Sequence, residues 1–218
     1  MSGFVAVRFV AAGSVGAQRW AAPVLFWAVG VGVTFVSGGG PLATLAQAAA
    51  WLFPTGAWLV VATTNTEDAG QAAVTATALG GPVRARLVKL AVAGTAAVLL
   101  AALSVGLAAA FAGGRITAAQ CLFGATAVFA CTIGGCALGL LCAHPVVDRP
   151  GWAVLVVLLT SLLELVVPHV PPVRAVVTIL DSDRGSNRWN ELAAVIGETV
   201  AASAALMAAA LALGRRRS

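Results

Sequence analysis

Charged residues are scarce in this sequence. Only 10% of its 218 residues are Asp, Glu, Lys or Arg, whereas roughly a quarter are charged in soluble domains. Apolar residues make up 60% of the chain and its mean hydropathy is +0.97. So little polar surface cannot cover a soluble core, and so much apolar surface excludes a disordered chain. We therefore predict an all-α integral membrane protein, with one transmembrane domain over residues 1–218.

Cysteine and histidine are also scarce. The four cysteines fall within one apolar run without C-x-x-C spacing, which favours small buried side chains over disulfides or metal ligands. They are Cys121, Cys131, Cys136 and Cys142. The two histidines, His144 and His169, lie on opposite sides of the membrane in the topology derived below. We predict no metal site and no hydrolase chemistry.

No nucleotide-binding loop of the form G-x-x-x-x-G-K-[ST] occurs in the chain. The H-E-x-x-H pattern and the nucleophile elbow are missing as well. We therefore predict that this chain is not an enzyme and binds no cofactor by itself.

Six apolar runs are long enough to be membrane-spanning helices, which need about 20 residues to cross the bilayer. The fourth run contains Gly135 and Gly139 in a G-x-x-x-G pair, a spacing that permits close contact between helices. The second run contains Pro54, which is expected to kink it. The predicted spans are residues 20–37, 42–63, 87–112, 116–143, 151–167 and 191–213.

Two other segments carry apolar surface without being able to cross the membrane. Residues 4–19 mix apolar side chains with Arg8 and Arg19, a composition that suits an interfacial helix. Residues 168–190 contain an apolar patch at 173–180 that is too short for a bilayer of roughly 30 Å. We predict that residues 168–190 form an external, re-entrant insert before the last span.

Basic residues orient the chain in the membrane. Six spans place both termini on one side, and that side holds nine of the 13 basic residues. The positive-inside rule makes this side cytoplasmic in a multi-pass protein of the plasma membrane. The nine are Arg8, Arg19, Arg84, Arg86, Lys89, Arg149, Arg215, Arg216 and Arg217; the other four are Arg115, Arg174, Arg184 and Arg188.

A polar interval, TNTEDAGQAAVTATALGGPVRARLVK, separates the second and third spans. Thr64 and Glu67 have capping-box spacing, which predicts reciprocal hydrogen bonds at a helix N-terminus. Residues 69–79 are tolerable helix formers, and Gly80, Gly81 and Pro82 end the helix. A short helix with satisfied ends can transmit displacement, so we predict that it is a cytoplasmic docking element.

Polar side chains within the spans are candidates for a translocation path. Glu164 and Glu198 would each cost roughly 2.5 to 3.5 kcal/mol near the centre of a lipid-exposed helix. The position of Glu164 near the end of its span suits a solvated interfacial carboxylate as well as a pathway residue. Glu198 lies deeper in its span, so we expect it to face a cavity or another helix. Gln47 favours a hydrogen bond between helices over a substrate contact.

The order of these segments resembles the membrane-spanning permease subunits of bacterial ATP-binding-cassette exporters of the type V fold, which includes drug and polysaccharide exporters. A surface helix, two spans, a capped helix with an acidic start and basic exit, four further spans and an external insert form the shared pattern. The most specific part is ATTNTEDAGQAAVTATALGGPVRARLVK. The insert departs from the family in being short and poor in aromatic residues, which leaves the external gate undefined.

The resemblance implies that residues 64–86 form a coupling segment that docks on a separate cytoplasmic ATPase subunit, which binds ATP and Mg²⁺. It also implies a second permease copy or a homologous permease, and an amphipathic or apolar substrate such as a peptide, lipid or drug. The predicted interfacial helix would correspond to the connecting helix of that family. We predict no nucleic-acid partner. The implied docking residues are Glu67, Asp68, Gln71 and Thr75 to Leu79, with Arg84 and Arg86 at the rim.

Two other functions are compatible with the sequence. A proton- or ion-coupled secondary transporter would use Glu164 and Glu198 as titrating carriers, and it predicts inverted repeats, although no persuasive repeat relates the two halves. A membrane scaffold without transport activity would bind a partner other than an ATPase through the cytoplasmic helix.

Overall fold

The computed structural model describes residues 3–67, 69–143, 150–167, 172–181 and 188–216. Within these ranges the chain is entirely helical, as predicted. Its helices, in chain order, are α1 (Gly3–Gly16), α2 (Ala21–Ser37), α3 (Pro41–Thr64), α4 (Ala69–Leu79), α5 (Pro82–Phe111), α6 (Ala118–Cys142), α7 (Pro150–Val166), α8 (Val173–Asp181) and α9 (Trp189–Arg216).

Among the described residues, four helices, α3, α5, α6 and α9, are long and apolar enough to cross a membrane. They correspond to the second, third, fourth and sixth predicted spans, and they mark the chain as a membrane protein. The first and fifth predicted spans correspond to α2 and α7, which are apolar and have 17 residues each. These two short helices are at the lower limit of spanning length.

The third span begins earlier than predicted. Helix α5 starts at Pro82 rather than at residue 87, because proline is favoured in the first turn of a helix, where its missing N–H costs nothing. Arg84, Arg86 and Lys89 therefore lie in the first turns of a 30-residue helix and not in the preceding loop.

Helices α3 and α6 form the centre of the bundle, and most of their residues are buried. The G-x-x-x-G pair of α6 lies directly against α3. A Cβ atom on Gly135 would overlap the backbone of Phe53, and one on Gly139 would overlap the backbone of Ala57. The predicted close contact is confirmed, because only a hydrogen at these two positions leaves room for the α3 backbone. The core also includes Leu45, Leu52, Phe123, Val128 and Val157.

Helix α8 packs against the centre of the bundle. Its buried side chains follow helical spacing and contact α3 and its neighbours. Arg174 Nη1 donates hydrogen bonds to the carbonyls of Leu165 (3.2 Å) and Val166 (2.6 Å) at the end of α7. The apolar patch of the predicted insert thus forms a packed helix. Residues 168–171 and 182–187 of the insert lie outside the described ranges. The buried side chains are Val173, Val176, Ile179 and Leu180.

A buried hydrogen bond ties α2 to α5. Trp27 Nε1 donates to Ser104 Oγ at 2.9 Å, and both side chains are buried. Replacing Ser104 with alanine would leave the indole N–H without this partner, so we expect the free energy of unfolding to fall by about 1–3 kcal/mol. Chemical unfolding of the purified protein in detergent measures this loss.

The control for this change is Ser161→Ala. Ser161 is also buried, but its hydroxyl donates to the Val157 carbonyl of its own helix at 2.8 Å. Removing it deprives no donor of a partner, so its effect should be smaller. Equal losses in the two variants would refute the inter-helix role of Ser104.

Candidate functional site

Helix α4 stands between the end of α3 and the start of α5, and its C-terminus is fixed by local chemistry. The Gly81 N–H donates to the Ala76 carbonyl at 2.8 Å, and the Gly80 N–H donates to the Thr77 carbonyl at 3.2 Å. This pair of bonds is a Schellman motif, which satisfies the last carbonyls of a helix. Gly80 and Gly81 have φ values of 82° and 133°, which glycine adopts without strain. The predicted end of the helix is confirmed.

The predicted capping box at the start of this segment is wrong. Thr64 is the last residue of α3, and the Asn65 N–H donates to the Val61 carbonyl at 3.0 Å to close that helix. The Glu67 carboxylate instead accepts a hydrogen bond from Lys89 Nζ at 3.0 Å. Lys89 is 6% exposed, and a buried ammonium requires a counter-charge. That requirement decides which partner Glu67 takes.

A capping box does occur elsewhere, at the start of α6. The Gln120 N–H donates to Thr117 Oγ1 at 3.2 Å, and the Thr117 N–H donates to Gln120 Oε1 at 3.0 Å. The T-x-x-Q spacing of these residues is a sequence signal for this motif, although it was not among the predicted features.

Basic side chains tie the ends of α3 and α9 to the first turns of α5 and to the segment before α2. Lys89 Nζ also donates to the Thr64 carbonyl at 3.4 Å, and Arg19 donates to the Asn65 carbonyl. Both carbonyls lie at the C-terminus of α3, the negative end of its dipole. Arg86 Nη1 donates to the Ala210 carbonyl of α9 at 3.0 Å. We call this set the polar junction: Arg19, Thr64, Asn65, Glu67, Arg86, Lys89 and the Ala210 carbonyl.

The polar junction ties the residues just before α4 to the bundle. It joins the segment before α2, the end of α3, the first turns of α5 and the last turns of α9. A displacement of the segment before α4 therefore reaches α3, α5 and α9 through direct hydrogen bonds.

One side of α4 faces away from the bundle and is small and nearly neutral. Val74 lies at its centre and is 68% exposed. Thr77 is also exposed, but its Oγ1 donates to the Ala73 and Val74 carbonyls, so it adds little polarity. We call this side the outer face of α4; it comprises Gly70, Gln71, Ala73, Val74, Thr77 and Ala78.

The structure distributes the predicted docking residues unequally. Gln71 lies on the outer face, whereas Thr75 is buried and Leu79 is partly buried. Glu67 belongs to the polar junction, with its side chain 11% exposed. Asp68 lies outside the described residues. Val74 was missing from the predicted set, because the sequence alone does not show which side of α4 faces away from the bundle.

The two predicted rim residues also differ. Arg84 is exposed at the start of α5, while Arg86 is partly buried and bound to α9. Lys89, which the sequence presented as one of several basic residues beside a span, is the buried centre of the junction. In the sequence, its burial was indicated only by its position at the beginning of an apolar run.

The candidate path residues lie in different environments. Glu164 is 7% exposed, and its carboxylate accepts a hydrogen bond from the Val173 N–H at the start of α8. Its Oε2 atom has no hydrogen-bond partner among the described residues. Glu198 is exposed on the outer side of α9, so within the described part of this chain it contacts no cavity and no second helix, and its predicted role in a path stays a prediction. The α9 stripe that packs inward passes through Thr199 and Ser203 instead. Gln47 is partly buried on α3.

No protein-family model, curated protein or solved structure matches this chain.

Proposed function

We propose that this chain is the permease subunit of an ATP-driven exporter of the type V fold, with ATP hydrolysed by a separate subunit. The observation that carries the proposal is α4. It is a short helix outside the bundle, fixed at its C-terminus by a Schellman motif and preceded by the polar junction. A rigid element of this kind suits force transmission, whereas a flexible glycine-rich loop would absorb the motion.

The outer face of α4 supports docking into a groove. Its side chains are small, so a partner backbone can approach closely, and Val74 offers one apolar anchor at the centre. Interfaces depend most on such central side chains surrounded by near-neutral contacts. Glu67, which the resemblance implies as a docking residue, instead holds the segment against α5 through its ion pair with Lys89.

The proposal includes six membrane spans, with α2 and α7 as the short ones. Seventeen helical residues reach about 25 Å, which crosses a locally thinned bilayer. The exposed sides of both helices carry large aliphatic residues, as lipid contact requires; examples are Leu25, Val29 and Val33 on α2 and Leu155, Leu159 and Leu162 on α7. Both termini and α4 then lie on the cytoplasmic side of the plasma membrane.

The outer side of α9 supports a second permease copy. Its exposed residues include Gly197, Ala201 and Ala205, spaced at four-residue intervals that allow close helix contact. Glu198 lies beside this row and would be costly against lipid. A second copy or a homologous permease covering this side would complete a translocation path for an amphipathic or apolar substrate.

A second candidate function, an ion-coupled transporter, is favoured only by the Glu164 oxygen that has no partner among the described residues. Glu198, the other carboxylate that this mechanism needs, is exposed on α9, whereas Glu164 is buried. Substrate export that persists in Glu164→Gln and requires ATP would exclude it.

The exporter proposal predicts a specific partner contact at Val74. We expect Val74→Arg to weaken binding of the ATPase subunit about tenfold or more, since a buried cation at a docking centre costs about 2 kcal/mol or more. The tagged chain is purified from its native cells in mild detergent, and an ATPase carrying a nucleotide-binding loop is identified by mass spectrometry and quantified.

The control is the same substitution at Val36, which is 89% exposed near the end of α2, away from α4. This variant should retain the ATPase at the wild-type level. Recovery of no such ATPase with the wild-type chain, or equal recovery with Val74→Arg, would contradict the exporter proposal.

A further inference from the structure

A cavity opens sideways between α5, α6 and α9. Its volume is about 440 Å³, within the range of small-molecule sites. Val98 and Ile133 are exposed at its opening, whereas Cys136 is buried at its inner wall. The cavity therefore reaches from the outer surface of the bundle toward its core. Its lining includes Leu90, Gly94, Val98, Ile133, Cys136 and Met207.

The cavity is apolar even where hydroxyl groups line it. Thr95 Oγ1 donates to the Ala91 carbonyl at 2.8 Å, and Thr132 Oγ1 donates to the Val128 carbonyl at 2.8 Å. Both hydroxyls are bonded within their own helices, which leaves them little capacity for a polar ligand. Because α5 and α9 are helices of membrane-spanning length, the material outside this opening is hydrocarbon.

The end of the cleft nearest α4 is cationic. Arg84 precedes the cavity-lining residue Ala91 by two helical turns on the same face of α5, about 10 Å along the axis. Arg86 reaches across the cleft to the Ala210 carbonyl, one turn beyond the cavity-lining residue Met207. The nearby carboxylate of Glu67 is paired with Lys89. Two guanidinium groups therefore lie beyond this end of the apolar cavity, that of Arg84 beside Gly80 and that of Arg86 against the Ala210 carbonyl.

We propose that this cleft binds a phospholipid with an anionic headgroup. One acyl chain occupies the cavity, and the headgroup phosphate lies beside Arg84 and Arg86. Basic groups between membrane helices attract anionic lipids. A helix of a second copy fits less well, because its diameter with side chains is about 10 Å or more. The proposal needs α5 and α9 to lie in a membrane, and it does not depend on the exporter function.

Gly94 allows the cavity to be filled without disturbing the fold. A Cβ atom there would meet no atom within 4 Å, so a leucine side chain can enter the cavity. Gly106 provides the matched control, since it lies on the same helix with open space around it but outside the cavity. For the headgroup, Arg84→Gln is matched by Arg115→Gln, which removes an exposed charge just beyond the opposite end of α5.

The test uses the purified chain in detergent, without an ATPase, and measures its thermal unfolding midpoint and bound lipid by native mass spectrometry. Phosphatidylglycerol should raise the midpoint of the wild type more than phosphatidylcholine does. Gly94→Leu should lose this shift and Gly106→Leu should keep it. Arg84→Gln should bind phosphatidylglycerol about fivefold more weakly while still binding phosphatidylcholine, and Arg115→Gln should match the wild type.

Four results would overturn the proposal. Equal shifts with the two lipids would remove the headgroup preference, and an equal shift with glycerol phosphate would assign the cleft to a soluble anion. Equal losses in Gly94→Leu and Gly106→Leu would remove the cavity. A changed oligomeric mass of Gly94→Leu with unchanged lipid content would assign it to a second copy. If Gly94→Leu is unfolded without added lipid, Ala91→Leu at the cavity wall takes its place.

Discussion

Replacing Gly135 with leucine is expected to leave no stably folded protein. The Gly135 Cα lies against the backbone of Phe53, so a side chain would meet main-chain atoms that cannot rotate away. Helices α3 and α6, which form the centre of the bundle, would have to separate. Overpacking within a core usually costs about 1–3 kcal/mol, and a clash with backbone is expected to exceed about 3 kcal/mol.

The measurement is the yield of monodisperse protein after membrane extraction, together with the unfolding midpoint of any recovered material. Gly197→Leu is the control, because Gly197 is an exposed glycine of α9 and an added Cβ would meet no atom within 4 Å. That variant should be extracted like the wild type. A Gly135→Leu protein with a wild-type midpoint would show that α3 and α6 do not pack as described.

Replacing Lys89 with methionine should be the second most damaging change. Methionine keeps much of the side-chain volume but leaves the Glu67 carboxylate without its ammonium partner in a site where its side chain is 11% exposed. Removing one member of a buried ion pair costs about 3–5 kcal/mol, since the remaining charge stays uncompensated. The free energy of unfolding in denaturant gives the loss directly.

A double-mutant cycle separates the ion pair from other effects of losing Lys89. The double variant Glu67→Met with Lys89→Met removes both charges and should recover most of the stability, because replacing a buried pair by apolar residues is often neutral. If the double variant is as unstable as Lys89→Met alone, the loss comes from the Lys89 bond to the Thr64 carbonyl. The pair would then contribute little to the stability of the junction.

Several elements could be predicted because their causes are local. Helices α3, α5, α6 and α9 follow from the length and apolar composition of their segments. The end of α4 follows from Gly80, Gly81 and Pro82, which no helix continues through cheaply. The contact at Gly135 and Gly139 was visible as a spacing, although its partner residues on α3 were not.

The candidate site was predicted less well, because its residues are defined by what they pack against. Thr64 and Glu67 have capping-box spacing, yet Thr64 ends α3 and the Glu67 carboxylate pairs with Lys89. Thr75 and Val74 are neighbours in sequence, and only the position of the bundle makes one buried and the other exposed. Glu198 likewise lies outward because α9 presents a different stripe to its neighbours.

The sequence by itself determined that this is a helical membrane protein with a short helix between its second and third apolar runs, since apolar composition and glycine placement act over a few residues. Only the tertiary structure decided how that helix is held. The Lys89 ammonium lies 22 residues from Glu67 in the chain and is buried beside it. A buried charge must be paired. Because no local sequence pattern contains this requirement, the sequence predicted a helix cap at Glu67, whereas in the structure Glu67 ties the segment before α4 to α5.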